Sequence, residues 1–292
     1  GNRTATFVYT LADGTNGLVN NYSLANTIDN KNITKKALTI SGTTTNDKVY
    51  DGNTNADVNL GTLSGFVTGE TLSTTAVGTF ASKDVGNRTA TFVYTLADGT
   101  NGLANNYSLA NTMANAEITK RAIELSATNL TKIYGEVDPT LVYTITNGTK
   151  IGSDNLGVSL VRTSGENVNT TTGYAISNNG TLNSNYNVTF VDGKLNITPR
   201  AIAINADAKS KIYGNAEEIL SATVSNTQGL GLAFNDTLAN VIGTLTRQSG
   251  ENVGSYDVVL GSGNKTSNYA ITFDTNTVAL VALAFWGFVG VE

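Results

Sequence analysis

The sequence predicts a mainly β protein built from tandem small domains, and three observations predict it. A long segment recurs almost unchanged, apolar residues alternate with polar ones between Gly- and Asn-rich turns, and helical periodicity is nearly absent. The repeat is unmistakable: Gly1 to Thr27 reappears as Gly86 to Thr112, an offset of 85 residues, with Val19 against Ala104 as the one change.

Other landmarks divide the rest of the chain. A joint phrase reads N-I-T-K-K-A-L from Asn32, E-I-T-K-R-A-I from Glu117 and N-I-T-P-R-A-I from Asn196. A Lys-x-Tyr phrase follows each joint, at Lys48, Lys132 and Lys211. S-G-E-N-V occurs at Ser164 and Ser249, with Asp84-Val85-Gly86 at the corresponding place earlier. An Asn-Tyr pair stands near the end of each unit, at Tyr22, Tyr107, Tyr186 and Tyr269. The units are therefore the second half of a first repeat type (1–34), a full copy of that type (35–119), two copies of a second type (120–199 and 200–278) and an apolar tail (279–292). A period of about 80 residues exceeds that of solenoid repeats, so each unit is expected to hold its own core.

The elements follow in chain order. Thr6 to Thr10, Leu141 to Ile145, Tyr186 to Phe190 and Ala201 to Ile204 are rich in β-branched and aromatic residues and read as strands. Asn235 to Ile242 is the best helical stretch, about two turns capped by Asp236 or Asn235. The joints carry no Gly/Ser linker, and Pro199 biases Thr198 to extended geometry, so the domains are expected to form an elongated rod. Val278 to Val291 is apolar but shorter than the roughly 20 residues of a membrane span, so it is read as a terminal strand or a non-native tail, with no span.

Composition narrows the function. The chain has no Cys and no His, which removes thiolate and imidazole chemistry, zinc sites of the usual kind and disulfides. Charged residues make up 14% and the net charge is −5, with no basic run, so no nucleic-acid partner is expected. Thr-, Asn- and Gly-rich composition suits an extracellular bacterial protein, whose export signal would lie upstream of Gly1.

The chemical candidates are few. Asp51, Asn53, Asn55 and Asp57 alternate as the first half of a calcium loop does, but position 62 is Thr where such a loop has Glu, so the competing reading is a turn at Asp51-Gly52-Asn53 with solvated neighbours. The recurrent tyrosines could stack on glycans, but their equivalent placement favours packing. Glu217-Glu218 lacks a facing carboxylate across a cleft, and Glu166 and Glu251 recur as structural residues would, so neither enzyme activity nor a cofactor is expected. Met113 and the tyrosines alone could serve a haem, and they argue against one.

These phrases resemble the YDG and MBG repeat domains found in tandem in large bacterial surface and secreted proteins, including filamentous-haemagglutinin-like adhesins of two-partner secretion. K-V-Y-D-G-N-T from Lys48 looks like the YDG signature; K-I-Y-G at Lys132 and Lys211 with the S-G-E-N-V phrases looks like the MBG pattern. The resemblance implies β-grasp-like domains, with an Ig-like sandwich as the alternative, serving as a stalk in an adhesin or matrix filament. The alternative function is a module that binds a host protein or glycan. Expected partners are adjacent repeats or neighbouring copies of the chain, joined by strand addition at incomplete ends.

Overall fold

The computed structural model describes residues 1–262 and 266–282. Strands dominate, and the one α-helix among the described residues is Leu238–Ile242. The chain divides into two units, one of Gly1–Arg121 with Ser184–Asn187, the other of the remaining described residues.

In the first unit, Asn2–Phe7 and Thr27–Asn32 pair as an antiparallel ribbon, from Asn2 opposite Asn32 to Phe7 opposite Thr27. Neither strand buries a residue. The repeated copy of the same residues meets a different fate. Its strand Gly86–Asp98 lies between Thr112–Thr119 and Leu72–Phe80 in a five-stranded sheet completed by Lys48–Val49 and Asn55–Ala56. There Ala90, Phe92 and Ile118 are buried, whereas their equivalents Ala5, Phe7 and Ile33 face solvent. A second sheet, ordered Thr62–Ser64, Lys36–Ser41 and Tyr107–Leu109, completes this domain.

The two later repeats also have two sheets each. One has Arg121–Ala127 between Tyr143–Gly148 and Tyr186–Val191, and a four-stranded sheet ordered Leu130–Ile133, Gly193–Thr198, Asn169–Asn178, Leu160–Arg162. The other has Arg200–Ala206 between Ala222–Gly229 and Tyr269–Asp274, with Lys209–Ile212, Thr277–Val281, Gly254–Leu260 and Leu245–Arg247 in the corresponding order. Pairing is mixed throughout. The opening strand runs parallel to the Asn-Tyr strand, placing Lys36 opposite Tyr107 and Arg200 opposite Tyr269. The Lys-x-Tyr strand runs parallel to the closing strand, placing Lys48 opposite Ile118, Lys132 opposite Ile197 and Lys211 opposite Leu280. Such parallel pairs separate these domains from an all-antiparallel Ig-like sandwich.

The closing strand Thr277–Val281 shows how little the local spelling matters. Where the preceding repeat buries Leu195 and Ile197, this one buries Val278 and Leu280, so an apolar run supplies the same alternating face as K-L-N-I-T. The apolar stretch read from Val278 to Val291 thus begins as a strand of the last domain, and its residues 283–291 lie outside the described ones. One residue, Pro199, separates Gly193–Thr198 from Arg200–Ala206, as expected of a joint without a linker.

The helix differs from the sequence reading. It starts at Leu238 rather than near Asn235, and its cap is Thr237, whose hydroxyl accepts from the Asn240 N–H. Asp236 is not available as a cap because its carboxylate is engaged by two tyrosines.

Candidate functional site

Each Lys-x-Tyr phrase places a lysine inside its own domain, and the sequence supplies a different cage each time. Lys132 and Lys211 are buried, although each carries a charge. Lys132 Nζ donates to Asp138 at 2.6 Å and Glu166 at 2.5 Å, and Arg162 donates to the same two carboxylates. Lys211 Nζ reaches Glu217 at 2.7 Å and Glu251 at 2.9 Å, with Arg247 bridging both. Each cluster balances two cations with two carboxylates, which is how a buried ammonium is tolerated. Arg247 and Lys211 hold the Glu217 carboxyl down, from its usual 4.5 to about 2. Paired with two cations, the Glu217 carboxylate is kept ionised as the counter-charge of its cluster.

The S-G-E-N-V phrases surround these cages. Gly165 and Gly250 adopt φ of 141° and 148°, and a Cβ on either would lie 2.2 Å from the ring of Tyr174 or Tyr256. Those rings sit beneath Arg162 and Arg247, 5.5 and 5.0 Å from centroid to guanidinium carbon. Their hydroxyls donate to the carbonyls of Asn167 and Asn252 at 2.9 Å.

In the first repeat type the lysine replaces the ion suggested by the sequence. Lys48 Nζ donates to Asp51 Oδ1 at 2.9 Å, to the Asn53 carbonyl at 2.9 Å, to Asn53 Oδ1 at 3.1 Å and to the Asn55 carbonyl at 3.0 Å. Asp51 and Asn53 side chains also accept from backbone N–H groups two residues on, the turn chemistry of these residue types. The oxygens Asp51, Asn53 and Asn55 bring together therefore point at an ammonium, and Asp57 makes no hydrogen bond among the described residues. This donor set does not fit calcium, which would have to displace Lys48, and among the described residues no cluster of three or more acidic side chains could hold a metal.

The tyrosines of the first two phrases, Tyr50 and Tyr134, leave their own domains and pack at joints, while Tyr213 of the third is exposed. Tyr50 is 1% exposed and lies edge-on to Tyr186, ring centroids 5.6 Å apart at 72°. Beside them Asn185 accepts from the Val85 N–H at 3.0 Å and donates to Asp84 at 2.9 Å, a contact that holds the Asp84 carboxyl below its usual range. The next joint repeats this. Tyr134, 6% exposed, meets Tyr269 edge-on at 5.4 Å and Phe234 at 5.2 Å. Asn268 accepts from the Val168 N–H at 2.9 Å and donates to Asn167 at 3.1 Å.

Here one carboxylate organises the joint. Tyr134 and Tyr269 both donate to Asp236 Oδ2, at 2.9 and 2.6 Å, while the Ala233 N–H donates to the Tyr269 hydroxyl at 3.0 Å. Burial, reinforced by Asp236, pushes the Tyr269 phenol up to about 12. Arg200 donates to the carbonyl of Tyr134 and to Glu136, and also to the carbonyls of Leu230 and Gly231. Gly135 lets the backbones approach, since a Cβ there would sit 2.3 Å from that of Ala233. One hydrophobic cluster runs through both domains, from Ala127 and Leu195 past Tyr134 and Tyr269 to Ile204 and Ile242.

Of the recurrent tyrosines, Tyr50 with Tyr186 and Tyr134 with Tyr269 pack at joints and Tyr107 packs on Phe66 inside its own domain, as expected of packing residues, whereas Tyr213 is 57% exposed, against that expectation. What sequence reading missed is their partner, the acid three residues after a backbone donor, Glu70 and Val67 for Tyr107 and Asp236 and Ala233 for Tyr269; Ile151 and Asp154 form the same kind of turn. Each is closed by a hydrogen bond from the acid's N–H to the first residue's carbonyl, at 3.0, 3.1 and 3.0 Å. The signal was V-T-G-E, I-G-S-D and A-F-N-D, too degenerate to align by eye.

Two-sheet β domains that recur along one chain make a tandem-repeat protein, and its repeats are of known kinds. Residues 34–114 match the YDG domain, and residues 123–196 and 202–279 match the MBG domain of YGX type. The two MBG matches cover just over half of the sequence, and the chain belongs to the MBG domain family, with a YDG domain ahead of the MBG pair. No curated protein matches the chain.

Proposed function

We infer that this chain is a structural segment of an extracellular bacterial adhesin or matrix filament, a stalk that sets distance and carries no catalysis. The observation that supports this reading is the joint: an interdigitated set of tyrosines, an asparagine amide and an acid, continuous with the cores of both MBG domains. Such packing resists bending, whereas a binding or catalytic chain needs no costly ordering between its domains. The charged clusters are internally paired and serve the same end. Among the described residues no helix is long and apolar enough to cross a membrane. Export by two-partner secretion is part of this proposal.

Small-angle scattering of the purified chain tests it. The expected profile is that of a stiff, elongated particle, and Tyr134→Ala with Asn268→Ala should broaden the distribution of dimensions. A compact globule, or a profile unchanged by the double substitution, would refute the stalk.

A further inference from the structure

Each of the three full repeats receives the chain on an inner strand and releases it from another. The opening strands Lys36–Ser41, Arg121–Ala127 and Arg200–Ala206 are each the middle strand of a three-stranded sheet. The closing strands Thr112–Thr119, Gly193–Thr198 and Thr277–Val281 each lie between two neighbours in the second sheet. A strand with a ladder on both sides has no free edge from which it can be peeled.

The register adds a second feature, clearest in the last repeat. Arg200 stands opposite Tyr269 and Asn205 opposite Asp274 in a parallel pair. Lys209 stands opposite Val278 and Ile212 opposite Val281, again parallel and again 69 residues apart. Residues 200–212 and 269–281 therefore run side by side in one register through both sheets. The Tyr213 N–H extends this strip with a bond to the Val281 carbonyl at 3.0 Å. Because the strip is parallel, the chain enters it at Arg200 and leaves it at Val281, at opposite ends. Pulling on the chain drives the two segments past each other, so the ladder bonds are loaded together, in shear. In an antiparallel hairpin the pulled ends are adjacent and the bonds break in sequence. The strip is also keyed into the core, since Ile202 and Ile204 of one segment and Val278 and Leu280 of the other are at most 2% exposed. Lys211 cannot slide without breaking its contacts with Glu217 and Glu251. The preceding repeat holds the same parallel pair, from Leu130 opposite Leu195 to Ile133 opposite Thr198, with Lys132 caged likewise. In the YDG domain the pair is shorter, Lys48 opposite Ile118 and Val49 opposite Thr119.

We propose that each repeat is a mechanical clamp for tension carried along the chain, with the parallel strip as its bearing element. Between the two MBG domains a single residue, Pro199, separates the closing strand from the next opening strand, so no linker takes up extension before the clamps are loaded. The purpose of the clamp rests on the stalk reading, since tension arises in a chain held at both ends. The clamp itself follows from strand order and register.

Single-molecule force spectroscopy tests it, and the absence of native cysteine allows handles at chosen residues. In one variant of the full chain, Pro199→Cys with Ala282→Cys puts the handles at opposite ends of the last strip. In a second, Tyr213→Cys with Ala282→Cys puts them at the same end. All three positions are exposed, so thermal melts of the two variants should match and a difference in force reports the direction of loading. At one loading rate the first pair should rupture the domain at a force at least about twofold above the second, because forced unfolding follows the barrier along the direction pulled and not the equilibrium. Equal forces, or a stronger second pair, would overturn the proposal. The expected ratio in a chain whose scattering is that of a compact globule would keep the clamp and remove the stalk. Equal forces in a stiff, elongated chain would remove the clamp alone.

Discussion

The duplicated segment allows one substitution to be made twice in the same local sequence. Phe7 and Phe92 sit in identical runs, T-A-T-F-V-Y-T, yet Phe7 is 49% exposed and Phe92 is 0% exposed. An aromatic side chain buries about 150–250 Å² when fully enclosed, which at about 25 cal/mol per Å² is worth roughly 4–6 kcal/mol of transfer. Truncation of such a residue to Ala costs about 3–5 kcal/mol, a cavity term included. Phe92→Ala should lose that amount from the YDG domain, because Phe92 stands opposite both Gly78 and Thr112 in the middle of its sheet. Phe7→Ala should cost less than about 1 kcal/mol, since a two-stranded ribbon gains little from a side chain left half in water. With an unfolding slope of about 1.5 kcal/mol per molar urea for a domain of this size, the Phe92 variant should unfold some 2–3 M earlier. Hydrogen exchange at amides of Gly86–Asp98, read against those of the MBG domains, assigns the loss to its domain. Equal losses from the two substitutions would refute the account, because local propensity rather than burial would then set stability.

Gly165→Ala and Gly250→Ala should each destabilise their domain by at least about 1–3 kcal/mol, since both a left-handed backbone and a ring at 2.2 Å oppose a Cβ; thermal melts that match the native protein would contradict this. On acidification the Lys211 cluster should weaken: the Glu217 carboxyl is depressed in the fold, so its contribution is complete above about 4.5 and is lost as pH falls toward about 2, and Glu217→Gln should flatten the stability profile in that window. On alkalinisation the MBG joint should weaken between about pH 10 and about 12, because the Tyr269 phenol is raised and its neutral form is the one the fold prefers; tyrosinate absorbance titrating at its ordinary value would contradict the buried hydrogen bond. Millimolar calcium should leave the melting temperature within about a degree of its starting value, and a rise abolished by Asp51→Ala would show that the ion displaces Lys48.

Much of the fold was legible because it depends on period and repetition. Alternation in Tyr186 to Phe190 and Ala201 to Ile204 marks strands found close to those limits. Two kinds of fact were not legible. The helix cap moved to Thr237 because Asp236 had a stronger claim from two phenols far away in the chain, and no local rule knows of them. The oxygen-rich run from Asp51 to Asp57 looks like a metal loop because alternating oxygens suit any cation; only the fold reveals that Lys48, three residues upstream of Asp51, supplies the charge.

The Lys-x-Tyr phrase explains why cores and joints are built together. Its lysine is fixed inside its own domain by carboxylates or carbonyls, and the tyrosine two residues later is presented to the next domain. The tyrosine N–H binds the closing strand, the last element of its own repeat to be synthesised, at Thr119, Thr198 or Val281. The turn is therefore held in its presenting geometry only once its domain has closed. Closure of a domain and presentation of its tyrosine are thus coupled, so a substitution that loosens the closing strand should weaken the joint as well.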